Sequence, residues 1–257
     1  MLNIVIPMAG RGSRFSAAGY ELPKPLIPVH GIPMIQVVIN NLKPEQEHRF
    51  IFLCQQEHID KYNIHKILLS LEPCCVIVPV DRLTEGAACT VLLAKDFIND
   101  NNPLMIANSD QWVDTDINIY LSHIAGGDID GLIMTMNSDD PKWSYARLHN
   151  GNVIEVVEKQ VVSDEATVGI YNYQEGRCFV KAAEKMIEKG LRVNGEFYVA
   201  PAYNEMIDAG MKISYYNIGS EFNGMYGIGI PSDLERFLSH EISEKAVLKL
   251  KFIERSI

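Results

Sequence analysis

The chain has 257 residues, 47% of them hydrophobic, and a formal net charge of -10. That is enough for one large α/β domain, or for a core domain with a small appendage. The acidic balance argues against a DNA- or RNA-binding surface, which shows a basic excess, so any polyanion must be held by a few local cations or by a metal. The five cysteines, Cys54, Cys74, Cys75, Cys89 and Cys178, are odd in number and lack zinc-type spacing. They read as reduced thiols in a cytoplasmic protein. The N-terminus enters a strand without a basic region and a long apolar run, so no signal peptide is expected. No apolar run reaches the ~20 residues that a bilayer span takes. The expectation is a soluble cytoplasmic protein with no membrane or nucleic-acid partner; homo-oligomerisation stays open.

In chain order, NIVIPM (3–8) predicts a buried strand, PMIQVVINNL (33–42) a helix and HRFIFLC (48–54) a strand. EHIDKYNIHKILLSL (57–71) predicts an amphipathic helix, CCVIVPV (74–80) a strand, and GAACTVLLAKDFI (86–98) a helix entered through a glycine. NPLMIANSD (102–110) is a strand ending in an acid. Strands alternating with helices argue for a parallel sheet covered on both faces. The second half predicts strands over 130–136, 144–149, 152–159 and 166–173, helices over 176–190 and 196–210, a strand over 212–218 and a closing helix over 231–242. The picture is one domain with a nucleotide-binding half, residues 1–125, and a mixed-sheet acceptor half, residues 126–257.

The loop after the first strand carries Gly10, Arg11, Gly12, Ser13 and Arg14. Ligands of open α/β sheets sit at the carboxyl ends of the strands. Gly10 and Gly12 let backbone N–H groups approach an anion, and Arg14 offers a planar fork of donors. Lys24 adds a point charge between Pro23 and Pro25, which restrict the backbone. The P-loop pattern is absent, and Phe15 stands where a dinucleotide loop needs glycine. A nucleoside triphosphate fits this chemistry; a glycine-rich turn without a ligand is the plain alternative. At the end of a later strand, Asp110 suits a hard divalent cation, because carboxylate oxygens and phosphates together satisfy magnesium. A strand-end aspartate capping the next turn is the alternative. Asp114 and Asp116 read as caps or solvated groups of the helix that follows. Gly86, with Ala87 and Ala88 after it, reads plainly as a glycine helix entry followed by packing alanines. Trp112 and Trp143 could line a pocket or simply pack.

The stretches AGRGSRF and PKPLIPVHGIPMI resemble the opening of the sugar-phosphate nucleotidyltransferases, or nucleotide-sugar pyrophosphorylases. That fingerprint reads roughly A-G-G-x-G-[ST]-R-hydrophobic, followed by K-P-hydrophobic-hydrophobic-P. The resemblance extends over nearly the whole chain. IPMAGRGSRF and EGAACTVLLA are most similar to a branch encoded in bacterial capsule-biosynthesis clusters. It implies a three-layer Rossmann-like (glycosyltransferase-A type) mixed sheet with helices on both faces. It also implies transfer from an NTP, with CTP favoured by that branch, to a sugar- or polyol-phosphate, with release of pyrophosphate.

On the same resemblance, Arg14 and Lys24 are catalytic, Asp110 binds Mg2+, and Met8, Ala9, Gly10, Gly12, Ser13, Gly86 and Ala87 hold the nucleotide. VVEKQ (156–160) resembles the family's E-K-P strand end, giving Glu158 and Lys159 on the acceptor. Thr167, Gly169, Asn194 and Glu196 complete the implied acceptor set. One departure stands out. The family commonly carries W-x-D-x-G-T, whose aspartate is a second metal ligand, but MYGIGIPSDL (225–234) places Met225 and Gly227 at the tryptophan and aspartate positions. Asp233 falls later, on the last expected helix, as a cap or solvated face. A glycosyltransferase using a nucleotide-sugar, and a degenerate nucleotide-binding protein, are the competing functions. The first class usually shows D-x-D, which Ser109-Asp110-Gln111 is not; the second has Gly227 as its support.

Overall fold

The computed structural model describes residues 1–254. β1 (Leu2–Met8) leads to the short α1 (Ser13–Ala17), a 3-10 turn over Lys24–Leu26, and a small hairpin of β2 (Pro28–Val29) and β3 (Ile32–Pro33). There follow α2 (Met34–Leu42), β4 (His48–Gln55), α3 (Gln56–Tyr62), α4 (Ile64–Leu71) and β5 (Val76–Val80). Next come α5 (Ala87–Leu92), α6 (Lys95–Ile98), β6 (Leu104–Ala107), β7 (Gln111–Val113) and α7 (Ile117–Ala125). The second half holds β8 (Gly131–Asn137), β9 (Ser144–His149), β10 (Asn152–Glu158), β11 (Glu165–Tyr173) and α8 (Gly176–Glu188). It closes with α9 (Ala202–Asp208), β12 (Ile213–Glu221), β13 (Gly224–Gly227), α10 (Pro231–Ser239) and α11 (Ile242–Glu254).

Among the described residues, eleven strands form one sheet. β5, β4, β1 and β6 run parallel in that spatial order, as the strand–helix alternation predicts. β11 then joins β6 antiparallel, and the second-half strands extend the sheet in mixed directions. β1 is buried along nearly its whole length. Its alternate residues divide between two apolar layers. Ile4, Ile6 and Met8 pack with the α2 side, whereas Val5 packs with the layer holding α5, α8 and α9. A strand buried on both faces must read as a continuous apolar run, and this one does. The fold is therefore a three-layer mixed α/β sheet with helices on both faces. Because β4 lies on one side of β1 and β6 on the other, the chain order reverses at β1, and the loops after β1 and β6 part to leave a crevice.

Several expected elements differ. The helix over 57–71 is two helices, α3 and α4, broken at Asn63, which adopts a left-handed conformation (φ 52°) that asparagine tolerates better than most residues. The helix over 86–98 divides into α5 and α6. Its buried stripe of Val91, Ala94 and Ile98 continues across the break, so helical spacing alone could not reveal it. Of 196–210, only Ala202–Asp208 is α-helical, with Pro201 as the N-cap. A proline disfavours helical geometry in the residue before it, so the segment before Pro201 stays outside the helix. The closing helix stops at Ser239 because His240 is extended, and α11 follows as a separate helix. β7 and β13, with three and four residues, are too short to carry a period-two signal. Asp116 is the N-cap of α7 and accepts from the Asn118 amide, while Asp114 pairs with Lys245.

Two helix asparagines splint strands through paired hydrogen bonds. Asn41 on α2 donates to Val113 O and accepts from Val113 N, both at 2.8 Å. Asn204 on α9 does the same for Val156 of β10, at 2.7 and 2.8 Å. Val113 is buried, so Asn41→Ala leaves two backbone groups without partners. The expected cost is about 2–4 kcal/mol, read as a melting temperature lower by roughly 5–10 °C in calorimetry.

Candidate active site

Gly12 takes a left-handed conformation (φ 60°) that ends the loop after β1 and lets α1 begin at Ser13. Phe15 is buried, with its ring edge-on to Tyr20 at 5.1 Å, which anchors the loop from beneath. Lys24 opens a single 3-10 turn behind Pro23. Its Nζ donates to Asp110 Oδ2 at 2.8 Å. This pair bridges 86 residues of sequence and joins the loops that leave β1 and β6. Both side chains are mostly buried, so the attraction is screened less than at the surface.

Three adjoining cavities open along this crevice. One of about 620 Å³ runs beside the loop after β1 and is lined by Arg11, Gly12, Ser13 and Lys24. One of about 370 Å³ shares Ala9 and Arg11 with it and adds Gly10, Gly86, Ala87 and Glu196. The third, about 160 Å³, shares Ala87 and Asn108 with the second and is walled by Glu158, Thr167, Gly169 and Trp143. Glycines create the space between them. A Cβ on Gly86 (φ 130°) would lie 2.9 Å from the carbonyl carbon of Phe197. A Cβ on Gly169 (φ 80°) would lie 2.7 Å from Asn108 Cγ. Gly169 also sits where the pairing of β11 with β8 slips between Thr167 and Tyr171, so the strand bulges under the small cavity.

Glu158 ends β10 and is almost wholly buried; the Ser144 hydroxyl donates to it. Burial pushes its carboxyl above the usual carboxylate range, against the opposing effects of Ser144 and Lys159. Lys159 has a left-handed backbone (φ 56°), donates its amide to Trp143 O at 3.0 Å, and holds its Nζ 5.4 Å from the Tyr198 ring centre.

The expected residues gather unevenly. Ala9, Gly10, Gly12, Ser13, Lys24, Gly86 and Ala87 line the two larger cavities, and Glu158, Thr167 and Gly169 line the small one. Arg14 is exposed on α1 and lines none of the three; Arg11, the residue just before Gly12, lines both large ones. Met8 turns its side chain into the core because strand alternation sends it there, leaving its backbone as the part that can meet a ligand. Glu196 lies beside Gly86 rather than in the small cavity, since Phe197 N donates to Glu85 O and ties that segment to the glycine turn. Asn194 sits exposed in the tight turn closed by Val193 and Glu196 and lines none of the three.

Sequence reasoning passed over Asn108, Gln111 and Lys142, which also line the small cavity. Asn108 and Gln111 flank Asp110, so the polar run after β6 was the available signal. Lys142 had none: its Nζ is positioned by Glu221 at 3.0 Å, Asp140 at 3.3 Å and the Trp143 ring at 4.9 Å.

No cluster of three or more His, Cys, Asp or Glu side chains stands ready for a metal among the described residues. Asp110 nonetheless suits a hard cation carried in by a triphosphate, since magnesium takes one or two protein carboxylates and fills its shell with phosphate and water oxygens. The room for it is built in. A Cβ on Gly229 would stand 2.9 Å from Asp110 Cγ, so only glycine there leaves the carboxylate in place.

Residues 4–211 match the family described as nucleotidyl transferase. The chain belongs to that family. The match ends before Met225, the segment that departs from the family's W-x-D-x-G-T. The chain is 26% identical over 241 residues to the bifunctional protein GlmU of Methanococcus aeolicus, covering 91% of this chain and 53% of that protein. It is 28% identical over 229 residues to the bifunctional protein GlmU of Desulfotalea psychrophila, covering 84% of this chain and 63% of that one. The chain thus spans between about half and two thirds of the length of these relatives. Among solved structures, the nucleoside-diphosphate-sugar pyrophosphorylase from Vibrio cholerae RC9 superposes with a TM-score of 0.77 at 25% identity, covering 92% of this chain and all of that one. The inositol-1-phosphate CTP transferase from T. maritima shares the fold, with a TM-score of 0.72 at 14% identity, covering 95% of this chain and 96% of that one. No helix among the described residues is long and apolar enough to cross a membrane.

The raised carboxyl of Glu158 has a consequence for stability. A carboxylate whose folded pKa lies above its unfolded value destabilises the fold at pH values above both, and the effect vanishes below both. Glu158→Gln should therefore raise the melting temperature at pH 8 by about 2–4 °C, the shift that ~1 kcal/mol gives at this size. In calorimetry the gap should close as the pH falls toward 4, even though the variant loses a hydrogen-bond acceptor in the small cavity.

Proposed function

We propose that the chain transfers a nucleotidyl group from an NTP to the phosphate of a sugar- or polyol-phosphate and releases pyrophosphate. The observation that carries this reading is the join between the two loops at the reversal of strand order: Lys24 on Asp110, with the glycine turn on one side and a polar cavity on the other. Membership of the nucleotidyl transferase family and likeness to the Vibrio pyrophosphorylase support it. Residues 1–125 supply most of the nucleotide site, with the backbone of Met8–Ser13, together with Gly86 and Ala87, cradling it. Residues 126–257 supply the acceptor site.

The chemistry needs no covalent enzyme intermediate. An oxygen of the acceptor phosphate attacks the α-phosphorus, and the bond from that phosphorus to the bridging oxygen of the leaving pyrophosphate breaks. The protein contributes alignment and charge neutralisation. Lys24, with Arg11 of the glycine loop, offsets the triphosphate charge, while Arg14 points away on α1. Magnesium held by Asp110 and the nucleotide would supply Lewis-acid neutralisation of the phosphate oxygens. Lys24 holds Asp110 in position before the nucleotide arrives. Glu158 accepts hydrogen bonds from acceptor hydroxyls in the small cavity, with Thr167 and Gly169 beside it, and Lys159 approaches the acceptor phosphate. By its likeness to the capsule branch, CTP is the first nucleotide to try and supply of a capsule or surface-polymer precursor the first role.

The test is pyrophosphate release with Mg2+, scanning four NTPs against a panel of sugar and polyol phosphates. Release is expected only when one NTP and one acceptor phosphate are both present, and Asp110→Ala should lower kcat by roughly 100-fold or more. Nucleotide binding by calorimetry without release for any pair would overturn the transfer reading in favour of a nucleotide-binding protein.

A further inference from the structure

The segment from Gly227 to Gly229 crosses the site as bare backbone. Ile228 between the glycines is fully buried in the core, and its amide donates to Asp110 O at 2.9 Å. β13 ends at Gly227, and residues 229–230 form a bend that carries the chain on to α10. An added Cβ at Gly229 would meet the Asp110 carboxylate, as described above. At Gly227 an added Cβ would meet a single heavy atom within 4 Å: Oδ2 of Asp233, at 3.5 Å. Asp233 belongs to the first turn of α10, which folds back over the strip. Position 227 therefore lacks a side chain, and a carboxylate from the next helix stands in the space that side chain would enter.

The two acids are set apart by the strip. Gly227 and Gly229 are two residues apart, so their Cα atoms are separated by at most about 7 Å. A magnesium ion binds its oxygens at about 2.1 Å and keeps several waters, so a carboxylate one hydrogen bond beyond a coordinated water reaches it at this spacing. The groups facing Asp233 leave it available. Ser232 hydrogen-bonds to it and Lys142 and Arg236 act on it by charge, but the Lys142 ammonium is already held by Glu221 and Asp140, and Arg236 lies over the Phe222 ring at 3.5 Å. Glu221 adds negative charge to the same side, which further favours a cation there.

We infer that Asp233 is the second metal-facing carboxylate of this site, reaching the cation held by Asp110 through one of its water ligands and standing in for the side chain absent at Gly227. The inference rests on the nucleotidyl-transfer reading. It makes Asp233 a positioning residue: it orients a water of the ion's shell and so fixes where the triphosphate oxygens complete that shell. It also explains how the loss of a carboxylate at 227 is compatible with an otherwise intact site.

The experiment reads metal binding and not turnover. Mn2+ is titrated into the protein with the α,β-methylene analogue of each NTP, and free Mn2+ is followed by electron paramagnetic resonance. Asp233→Asn should weaken Mn2+ binding about tenfold, the usual loss for a partner outside the first shell, while the analogue binds unchanged without metal. Gly227→Asp/Asp233→Asn should recover binding to within a few-fold of the wild type, because position 227 has room for a Cβ. Asp110→Ala weakened with Asp233→Asn unchanged would overturn this inference alone. A folded double variant no better than Asp233→Asn would also overturn it. Wild-type protein that binds no Mn2+ with any analogue would take down the metal-assisted transfer reading as well.

Discussion

The pairing of Lys24 with Asp110 is the constraint on which the site depends. Each residue ends a different strand's loop, and the strands are neighbours through β1 and β6, so the 2.8 Å contact fixes the mouth of the crevice at the reversal of strand order. The ammonium offsets a carboxylate that would otherwise be mostly buried without a partner. It does so with a group that a triphosphate can also use. Under the proposed function, an incoming nucleotide would find one cation and one anion already held together at the mouth of the crevice. Pre-positioning of this kind lowers the ordering cost of binding.

Around that pair, space is made by omission. Gly86, Gly169, Gly227 and Gly229 each stand where a side chain would collide with backbone or amide groups, or would enter the site. The first two separate the cavities from one another and bring Phe197 and Asn108 close. The last two leave a bare strip between Asp110 and Asp233. In the inferred arrangement the acid that the family's pattern places on β13 is delivered by α10, six residues later in sequence but adjacent in space. A carboxylate can be exchanged between neighbouring elements in this way because a metal shell demands oxygen atoms at given points, whichever strand or helix carries them.

The acidic net charge of the chain sits easily with a polyanionic ligand. Four cations line the three cavities: Arg11, Lys24 and Arg82 beside the glycine loop, and Lys142, which is braced over Trp143 by two acids. Local positioning, and not bulk attraction, sets the binding field. The buried Glu158 belongs to the same logic: its desolvation costs stability and leaves a strong acceptor in a small polar pocket.

The order of elements in the first half, the glycine loop after β1 and the acid after β6 were legible in the sequence, because each depends on local patterning: apolar runs, glycine spacing and strand-end position. The resemblance carried by AGRGSRF and PKPLIPVHGIPMI gave the family, which the match over residues 4–211 bears out. Folding had to decide the rest. Arg11 rather than Arg14 lines the cavities because the left-handed turn at Gly12 rotates α1 away from the crevice. Glu196 joins the glycine turn because hydrogen bonds to residues 85–88 hold its segment there. The breaks at Asn63 and after Leu92 left no trace in the apolar spacing, and β7 and β13 were too short to show one. Asp233 reads as a helix-end acid from sequence alone, and only the return of α10 over β13 brings it to the site. A side chain's chemistry is set by its residue type, but the partners that chemistry meets are chosen by contacts between segments far apart in the chain.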